Sequence, residues 1–415
     1  MSTVAAVERE AWIIDAVRSP RGIGKQGKGS LAHLHPQVVL GQVLDGLRER
    51  TGIEPTDLDD VVCGNGAHSG DHAHDIGRMA VLEAGWPVSV PGVTLNRFCG
   101  SGQQAVTFAA MGVLAGHQDL VIGCGVESMS RPARNGTDGF HANNEHLLET
   151  HPQVPQGLSA DLIASVDGRS REECDRVGFE SQQRAAAAIA EGRFDRSLVP
   201  ITNPDGSVAL DREEFPRPDT TMETLASLNP SFPKMNDLSF EQTSATMREL
   251  IEQKYPGVEL QHVHHAGNSS GVVDGAGAVL VASPDYARAH GLTPRARVVM
   301  SAVAADEPLI MLTAPGPAAN SCLARAGMTI DDIDLFEVNE AFASVVLRFF
   351  ADTGADPEKV NVNGGAIALG HPIGATGAML IGTLVDELER RDLSTGLVAM
   401  CTGGGMGTAT IIERL

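Results

Sequence analysis

Apolar and polar positions along the 415-residue chain fall into two alternating kinds of segment. Short apolar runs bounded by Gly, Asn or Asp read as buried strands, as in Leu120-Val121-Ile122-Gly123-Cys124 and Leu397-Val398-Ala399-Met400-Cys401. Longer stretches carry apolar residues at helical spacing. One spans Glu172 to Glu191, with Val177, Ala185, Ala188 and Ile189 among its apolar positions. Another ends near Ala115, and a third carries Met379, Leu380 and Leu384. A further helix is predicted from Ser239. There Ser239 and Gln242 have capping-box spacing, and Phe240, Met247, Leu250, Ile251 and Tyr255 follow at near-helical intervals. Strands and helices that alternate in this way predict an α/β fold.

The pattern also repeats. Gly52-Ile53-Glu54-Pro55-Thr56-Asp57-Leu58-Asp59 parallels Gly327-Met328-Thr329-Ile330-Asp331-Asp332-Ile333-Asp334, and each leads into an apolar strand, Val61-Val62 or Leu335-Phe336. Val93-Thr94-Leu95-Asn96 then parallels Val360-Asn361-Val362-Asn363, each read as an alternating strand before a Gly-rich turn and a helix. The runs ending at Cys124 and Cys401 are the third match in the same order. Two copies of one α/β unit are therefore expected. Residues 128–262 have no counterpart in the second copy and read as an insertion. The expected division is 1–285 for the first half with its insertion, and 286–415 for the second.

Charge narrows the partners. Lys and Arg total 31 against 53 Asp and Glu, a net charge of -22. Such a surface repels phosphate backbones and anionic lipid, so nucleic acid is not an expected partner. The first ten residues lack a basic start and an apolar core, and no uninterrupted apolar run approaches the roughly 20 residues of a membrane span. The six cysteines, Cys63, Cys99, Cys124, Cys174, Cys322 and Cys401, form no CxxC pair. A reduced, cytoplasmic protein is expected.

Four segments carry candidate chemistry. Cys99 sits in Asn96-Arg97-Phe98-Cys99-Gly100-Ser101-Gly102, between an apolar strand and a helix. A helix N-terminus favours a thiolate and lowers a thiol pKa from about 8.5 toward about 3.5–7.5; the plainer reading is a small buried hydrophobe. His371 is the one ionisable group in a small, apolar loop from Asn363 to Gly377 and suits proton transfer or oxyanion stabilisation. Cys401 opens the run Thr402-Gly403-Gly404-Gly405-Met406-Gly407, whose backbone N–H groups could form an oxyanion hole. That run lacks the Lys and Ser/Thr of a phosphate-binding P-loop. Asn339, in Val338-Asn339-Glu340-Ala341-Phe342-Ala343, could orient a water or donate to an oxyanion.

Together these segments resemble the thiolase family. Asn-Arg-Phe-Cys-Gly-Ser-Gly is similar to its nucleophile motif. Asn-Glu-Ala-Phe-Ala, Gly-His-Pro-Ile-Gly-Ala-Thr-Gly and Cys-Thr-Gly-Gly-Gly-Met-Gly resemble its other catalytic loops. Gly125 to Ser130 and Ala266 to Gly271 extend the resemblance over almost the whole chain. It implies the thiolase fold: two duplicated α/β halves layered α-β-α-β-α, with a loop domain inserted in the first.

The resemblance also implies roles. Cys99 takes the acyl group, and His371 accepts its proton. Cys401 is the acid/base for the carbon acid. Asn339 holds a water that forms one oxyanion hole with His371, and the N–H groups of Cys99 and Gly403 form the other. CoA is a substrate, with Ser270 near the pantetheine and Arg217 near the nucleotide; a solvated surface charge is the other reading of Arg217. No cofactor or metal is implied, although His72-Ala73-His74 and His262-Val263-His264-His265 cluster.

Two departures bear on substrate. Short-chain members carry a Met-Gly pair that narrows the acyl pocket, where this chain has Gln156-Gly157-Leu158-Ser159. The implied activity is thus a 3-ketoacyl-CoA thiolase of fatty-acid β-oxidation, with acetoacetyl-CoA thiolase as the alternative. Residues 233–265 are longer than usual. They read either as an extra helix covering the loop domain or as a docking surface for a partner subunit of an oxidation complex. Family members are homodimers or homotetramers. A ketoacyl synthase would use two histidines where this chain offers one His and a second Cys. An inactive lipid carrier would show a broken catalytic set.

Overall fold

A computed structural model describes residues 9–131 and 140–415. Most of the ten-residue N-terminal segment read for a leader, and a stretch of the 128–262 insertion, lie outside the described residues.

The first half begins with β1 (Trp12–Arg18) and α1 (Pro36–Thr51), followed by β2 (Asp60–Gly64) and α2 (Ile76–Glu83). Next come β3 (Val93–Leu95), α3 (Ser101–Ala115) and β4 (Leu120–Ser128). The inserted segment carries α4 (Gln156–Val166), α5 (Arg171–Ala190) and α6 (Met247–Lys254). The chain returns through β5 (Val273–Ala282), β6 (Ala296–Ala305), α7 (Pro315–Ala326) and β7 (Leu335–Val338). It closes with α8 (Ala343–Thr353), α9 (Thr376–Arg391), β8 (Thr395–Thr402) and β9 (Met406–Arg414).

Strand pairing displays the duplication. The order across the sheet is β7-β8-β9-β6-β1-β5-β4-β2-β3, with the two-residue strand Gly22–Ile23 also on β5. The first copy runs β3-β2-β4-β5-β1, with β2 parallel to both β3 and β4. The second runs β7-β8-β9-β6, with β7 parallel to β8. The place of β3 in this second copy is reduced to one parallel bridge between Phe336 and Val360. The strand expected over 360–363 is therefore a single bridge followed by a turn, in which Asn361 adopts φ 49° and its side chain bonds Val338 instead. The copies meet where β1 and β6 pair antiparallel at Trp12–Arg297 and Ile13–Ala296.

The layers follow from burial. β4 and β5 are buried along their whole length, as strands covered on both faces must be. Between the halves lies a core in which Val106, Ala109 and Val113 of α3 meet Ile381, Leu384 and Leu388 of α9. α1 and α2 cover the outer face of the first half; α7 and α8 cover that of the second.

Helix ends follow their capping chemistry. α5 matches the helix expected over 172–191 and carries a complete Ser170–Glu173 capping box. The helix expected from Ser239 begins later, at Met247. Thr246 and Glu249 form the box that is used, while Ser239 makes an isolated bridge with Thr246 and Gln242 bonds Asn143. Both pairs have the right spacing, but Thr243 and Ser244 are poor helix formers and Met247-Arg248-Glu249-Leu250 are good ones. Met247, Leu250 and Ile251 are buried against a cluster that includes Leu158, Phe232 and Cys401, so this helix covers the inserted segment.

A buried ion triad fastens the insertion to β1. The Glu213 carboxylate lies 2.5 Å from Arg18 and 2.9 Å from Arg21, with all three side chains withdrawn from solvent.

Candidate active site

The candidate residues converge because each follows a strand at the carboxyl end of the parallel part of a half-sheet. Cys99 comes after β3, Asn339 after β7, Cys401 at the end of β8 and Gly403 just beyond it. Ligand sites of α/β sheets gather at this end. His371 enters from the loop ahead of α9, which packs directly on α3.

The Cys99 turn is tightly determined. Phe98 adopts φ 48°, a left-handed conformation that a bulky residue rarely takes. Its N–H donates to Asn96 Oδ1 at 2.7 Å, and its carbonyl accepts from Ser101 Oγ at 2.6 Å. The turn aims Cys99 into a cavity of about 300 Å³ lined by Phe98, Met129, Phe140, Gln156 and Ile373 among others. The Phe98 and Phe140 rings meet edge to face at 5.2 Å.

Burial overturns one expectation. Cys99 is 4% exposed, and desolvation pushes its thiol up to about 11 instead of lowering it. α3 begins two residues later, with Gly100 as its cap, so the helix end does not outweigh the lost hydration. Three donors act in the opposite sense: the Gln156 side chain and the N–H groups of Gly403 and of Cys99 itself. Cys401 is fully buried nearby; burial first, and then the closeness of Cys99, raise its thiol well above the usual range.

His371 is also buried, and burial, followed by the charge of Arg21, lowers its imidazole to about 4. Asn339 Nδ2 stands 3.4 Å from His371 Nε2, while Asn339 Oδ1 is buried with no partner among the described residues. Such an orphaned acceptor fits a bound water or substrate donor. The set thus holds a neutral imidazole, two protonated thiols and free backbone donors. Those are the materials for moving a proton from sulfur and stabilising an oxyanion.

Glu127 is a buried group that sequence reasoning passed over. It accepts N–H bonds from Gly66 at 2.8 Å, Ala67 at 3.2 Å and Gly374 at 2.9 Å, tying the His371 loop to the first half. Burial still raises its carboxyl to about 7. The signal for it was an acid closing the otherwise apolar run from Leu120 to Val126.

The CoA candidates lie apart. Arg217 lines a separate cavity of about 490 Å³ with Phe215, Pro216, Ala266 and Gly267, and its guanidinium stands over the Phe215 ring. Ser270 is not among that cavity's lining; its N–H donates to Ala341. The 262–265 histidines fasten the inserted segment, and His72 serves the end of β4. His262 and His264 each place Nδ1 2.7 Å from Asp161, His265 places Nε2 2.7 Å from Asp175, and His72 accepts from the Ser128 N–H.

Comparison with known proteins gives the same picture. The thiolase N-terminal domain matches residues 11–237, and the thiolase C-terminal domain matches residues 292–414. The chain is 41% identical to a steroid 3-ketoacyl-CoA thiolase of Mycobacterium tuberculosis, over 99% of this chain and 95% of that protein. It is 38% identical to an acetyl-CoA acetyltransferase of Chromobacterium violaceum, over 98% and 100%. The crystal structure of human mitochondrial 3-ketoacyl-CoA thiolase in complex with CoA superposes with a TM-score of 0.83 at 34% identity, covering 98% of each chain.

Proposed function

The chain belongs to the thiolase family of acyltransferases, and from that premise we propose that it cleaves 3-ketoacyl-CoA with CoA, releasing acetyl-CoA and a shortened acyl-CoA. The observation that carries this reading is the pair of buried thiols at one apolar cavity, with Cys99 facing into it and Cys401 beside it. His371 takes the Cys99 proton, and the thiolate attacks the keto carbon. The tetrahedral oxyanion forms against the N–H groups of Cys99 and Gly403, which already reach the sulfur. The acetyl-CoA enolate departs and takes a proton from Cys401. CoA then releases the acyl group from Cys99, aided by a water held between Asn339 and His371. Splitting the reaction at a covalent cysteine gives ping-pong kinetics.

Arg217 and the cavity around it are the proposed seat of the CoA nucleotide, with Ser270 near the pantetheine. The join between the halves is placed near 285/286, a reading supported by the sheet, in which β5 is the last strand along the chain to join the first copy and β6 the first to join the second. CoA is a substrate in this scheme, with no further cofactor.

The acyl preference is read from the cavity. Its apolar wall at Cys99 and Gln156 in place of a narrowing methionine favour acyl chains longer than acetoacetyl. We therefore favour β-oxidation over short-chain acetyl-CoA metabolism. A homodimer or a homotetramer is the proposed assembly. Met79, Leu82, Val93, Phe108, Met111 and Leu114 leave apolar surface exposed along α2, β3 and α3, and β3 is an unpaired sheet edge. Among the described residues no helix is long and apolar enough to cross a membrane; we propose a cytoplasmic enzyme.

One experiment tests the reading. CoA-dependent cleavage is measured across 3-ketoacyl-CoAs of increasing length, with peptide mapping of a quenched reaction. Cleavage that is fastest beyond four carbons, with an acyl adduct on Cys99, supports it. An adduct confined to another cysteine, or kcat/KM highest on acetoacetyl-CoA and falling at every added length, overturns it.

A further inference from the structure

One side chain in the Cys99 cavity lies outside the four catalytic loops. Gln156 opens α4, in the inserted segment, yet it lines the same cavity as Cys99, and its carboxamide acts to lower the Cys99 thiol pKa. It shares the cavity with Phe98, Phe140 and Ile373, so this amide faces a mostly apolar enclosure. Amide donors to a charged sulfur are stronger in such a place than in water.

Its placement is fixed from behind. Gly157 follows directly, and a Cβ there would come within 2.5 Å of the Phe232 ring. Glycine thus lets Phe232 close on the first turn of α4, where the ring also meets Phe342 edge to face at 6.0 Å. Phe232 belongs to the same cluster as Leu158, Met247 and Ile251, so the long 233–265 segment backs the wall from which Gln156 projects.

We propose that Gln156 is a catalytic residue that donates an amide hydrogen bond to the Cys99 thiolate, supplying from the inserted segment a third donor beside the N–H groups of Cys99 and Gly403. When the Cys99 proton passes to His371, the negative charge left on sulfur is met by Nε2–H of Gln156, which keeps its own proton. Desolvation opposes that charge, and Gln156 offsets part of the opposition. Once sulfur is acylated, the charge is gone and the bond weakens, which frees the amide to face the acyl group. A methionine in this place would fill the space and donate nothing.

The inference rests on Cys99 as the nucleophile, but its test needs no substrate. The full-length protein and its Gln156→Leu and Gln156→Glu variants are alkylated with iodoacetamide across pH, and modification of the Cys99 peptide is followed by mass spectrometry. Leucine removes the donor at similar size; glutamate keeps the shape and adds like charge. The midpoint for Cys99 should move alkaline by about one unit in Gln156→Leu and further in Gln156→Glu. Unchanged midpoints in both folded variants would overturn the proposal, as would a Gln156→Glu midpoint equal to wild type beside a shifted Gln156→Leu, which would assign the effect to shape. Gln156 is half-buried on a first helical turn, a tolerant position, and CoA binding verifies the fold. A protein that fails as a long-chain thiolase would still give this titration, so the two readings fail separately.

Discussion

His371 Nδ1 lies 2.6 Å from Thr376 Oγ1, and the proton of that hydroxyl goes to the Pro372 carbonyl at 2.9 Å. A hydroxyl has one hydrogen, so Thr376 accepts from Nδ1–H. The Nε2 lone pair is thereby turned toward Asn339, free of its own proton, as the proposed role of proton acceptor requires. Thr376→Val keeps the shape and deletes the acceptor. A buried donor left unpaired costs about 1–3 kcal/mol, so kcat for thiolysis should fall about tenfold or more, while Thr376→Ser retains most activity. Equal rates for valine and wild type would show that something else orients the imidazole.

The same imidazole sets a pH window. Its folded pKa, about 4, lies below the unfolded value of 6.5. Between these values the unfolded chain binds a proton that the folded chain refuses, so stability rises with pH there and is lost as pH falls toward 4. Glu127 runs the other way, since its raised carboxyl favours the folded state at low pH. Comparison with His371→Asn isolates the histidine. The stability difference between wild type and variant in urea should shift against wild type by roughly 2–3 kcal/mol from pH 7 to pH 4. A difference constant across that range would contradict a buried, neutral His371.

Glu213 stands between two buried guanidinium groups, and Arg18 Nε and Nη2 have no partner among the described residues. Glu213→Ala would leave two positive charges in the interior. Breaking a buried pair from one side costs about 3–5 kcal/mol, and the urea midpoint should drop accordingly. A loss under about 1 kcal/mol, as for an exposed pair, would show that water reaches the triad.

These cases mark what the sequence could say. The strand-turn-helix around Cys99 and the repeat joining β2 to β7 were legible because each is written in a local run of apolar residues and glycines. The Arg18–Glu213 contact was not, because it joins positions 195 residues apart through an insertion with little periodicity. The start of α6 was misplaced because two capping boxes compete within ten residues, and the winner depends on which turn buries Met247 and Ile251. The Cys99 pKa went the wrong way for a related reason. A helix end is visible in sequence, but the desolvation that outweighs it is a property of the packed site.

The apolar face of α3 gives a prediction about assembly. Phe108 is 46% exposed and Met111 48%, one turn apart, in the same half as the free sheet edge at β3. A second copy that covers both would also pair the edge. Phe108→Lys should convert the proposed dimer to monomer in light scattering at micromolar concentration, with far-UV circular dichroism unchanged. A variant that stays dimeric would move the interface elsewhere, and a monomeric wild type would refute the dimer.

In the proposed scheme Cys401 separates the two chemical steps. It is fully buried, and its thiol is protonated well above neutral pH, the state needed to give a proton to a departing enolate. Acylation of Cys99 by an acyl-CoA thioester needs no carbon acid, so it should survive in Cys401→Ser. A serine hydroxyl is a far weaker acid than a thiol, and loss of general acid–base catalysis typically removes about 10²–10⁴-fold in rate. The variant should therefore still show an acyl adduct on Cys99 by intact mass when treated with acetyl-CoA, while thiolysis of a 3-ketoacyl-CoA slows by that factor. Exchange of the acetyl-CoA methyl protons with D₂O, which reads carbanion formation directly, should slow in parallel. If thiolysis and exchange both stay near wild type, Cys401 does not handle the proton. If the adduct disappears as well, the two thiols act in one step and the division of labour proposed for them is wrong.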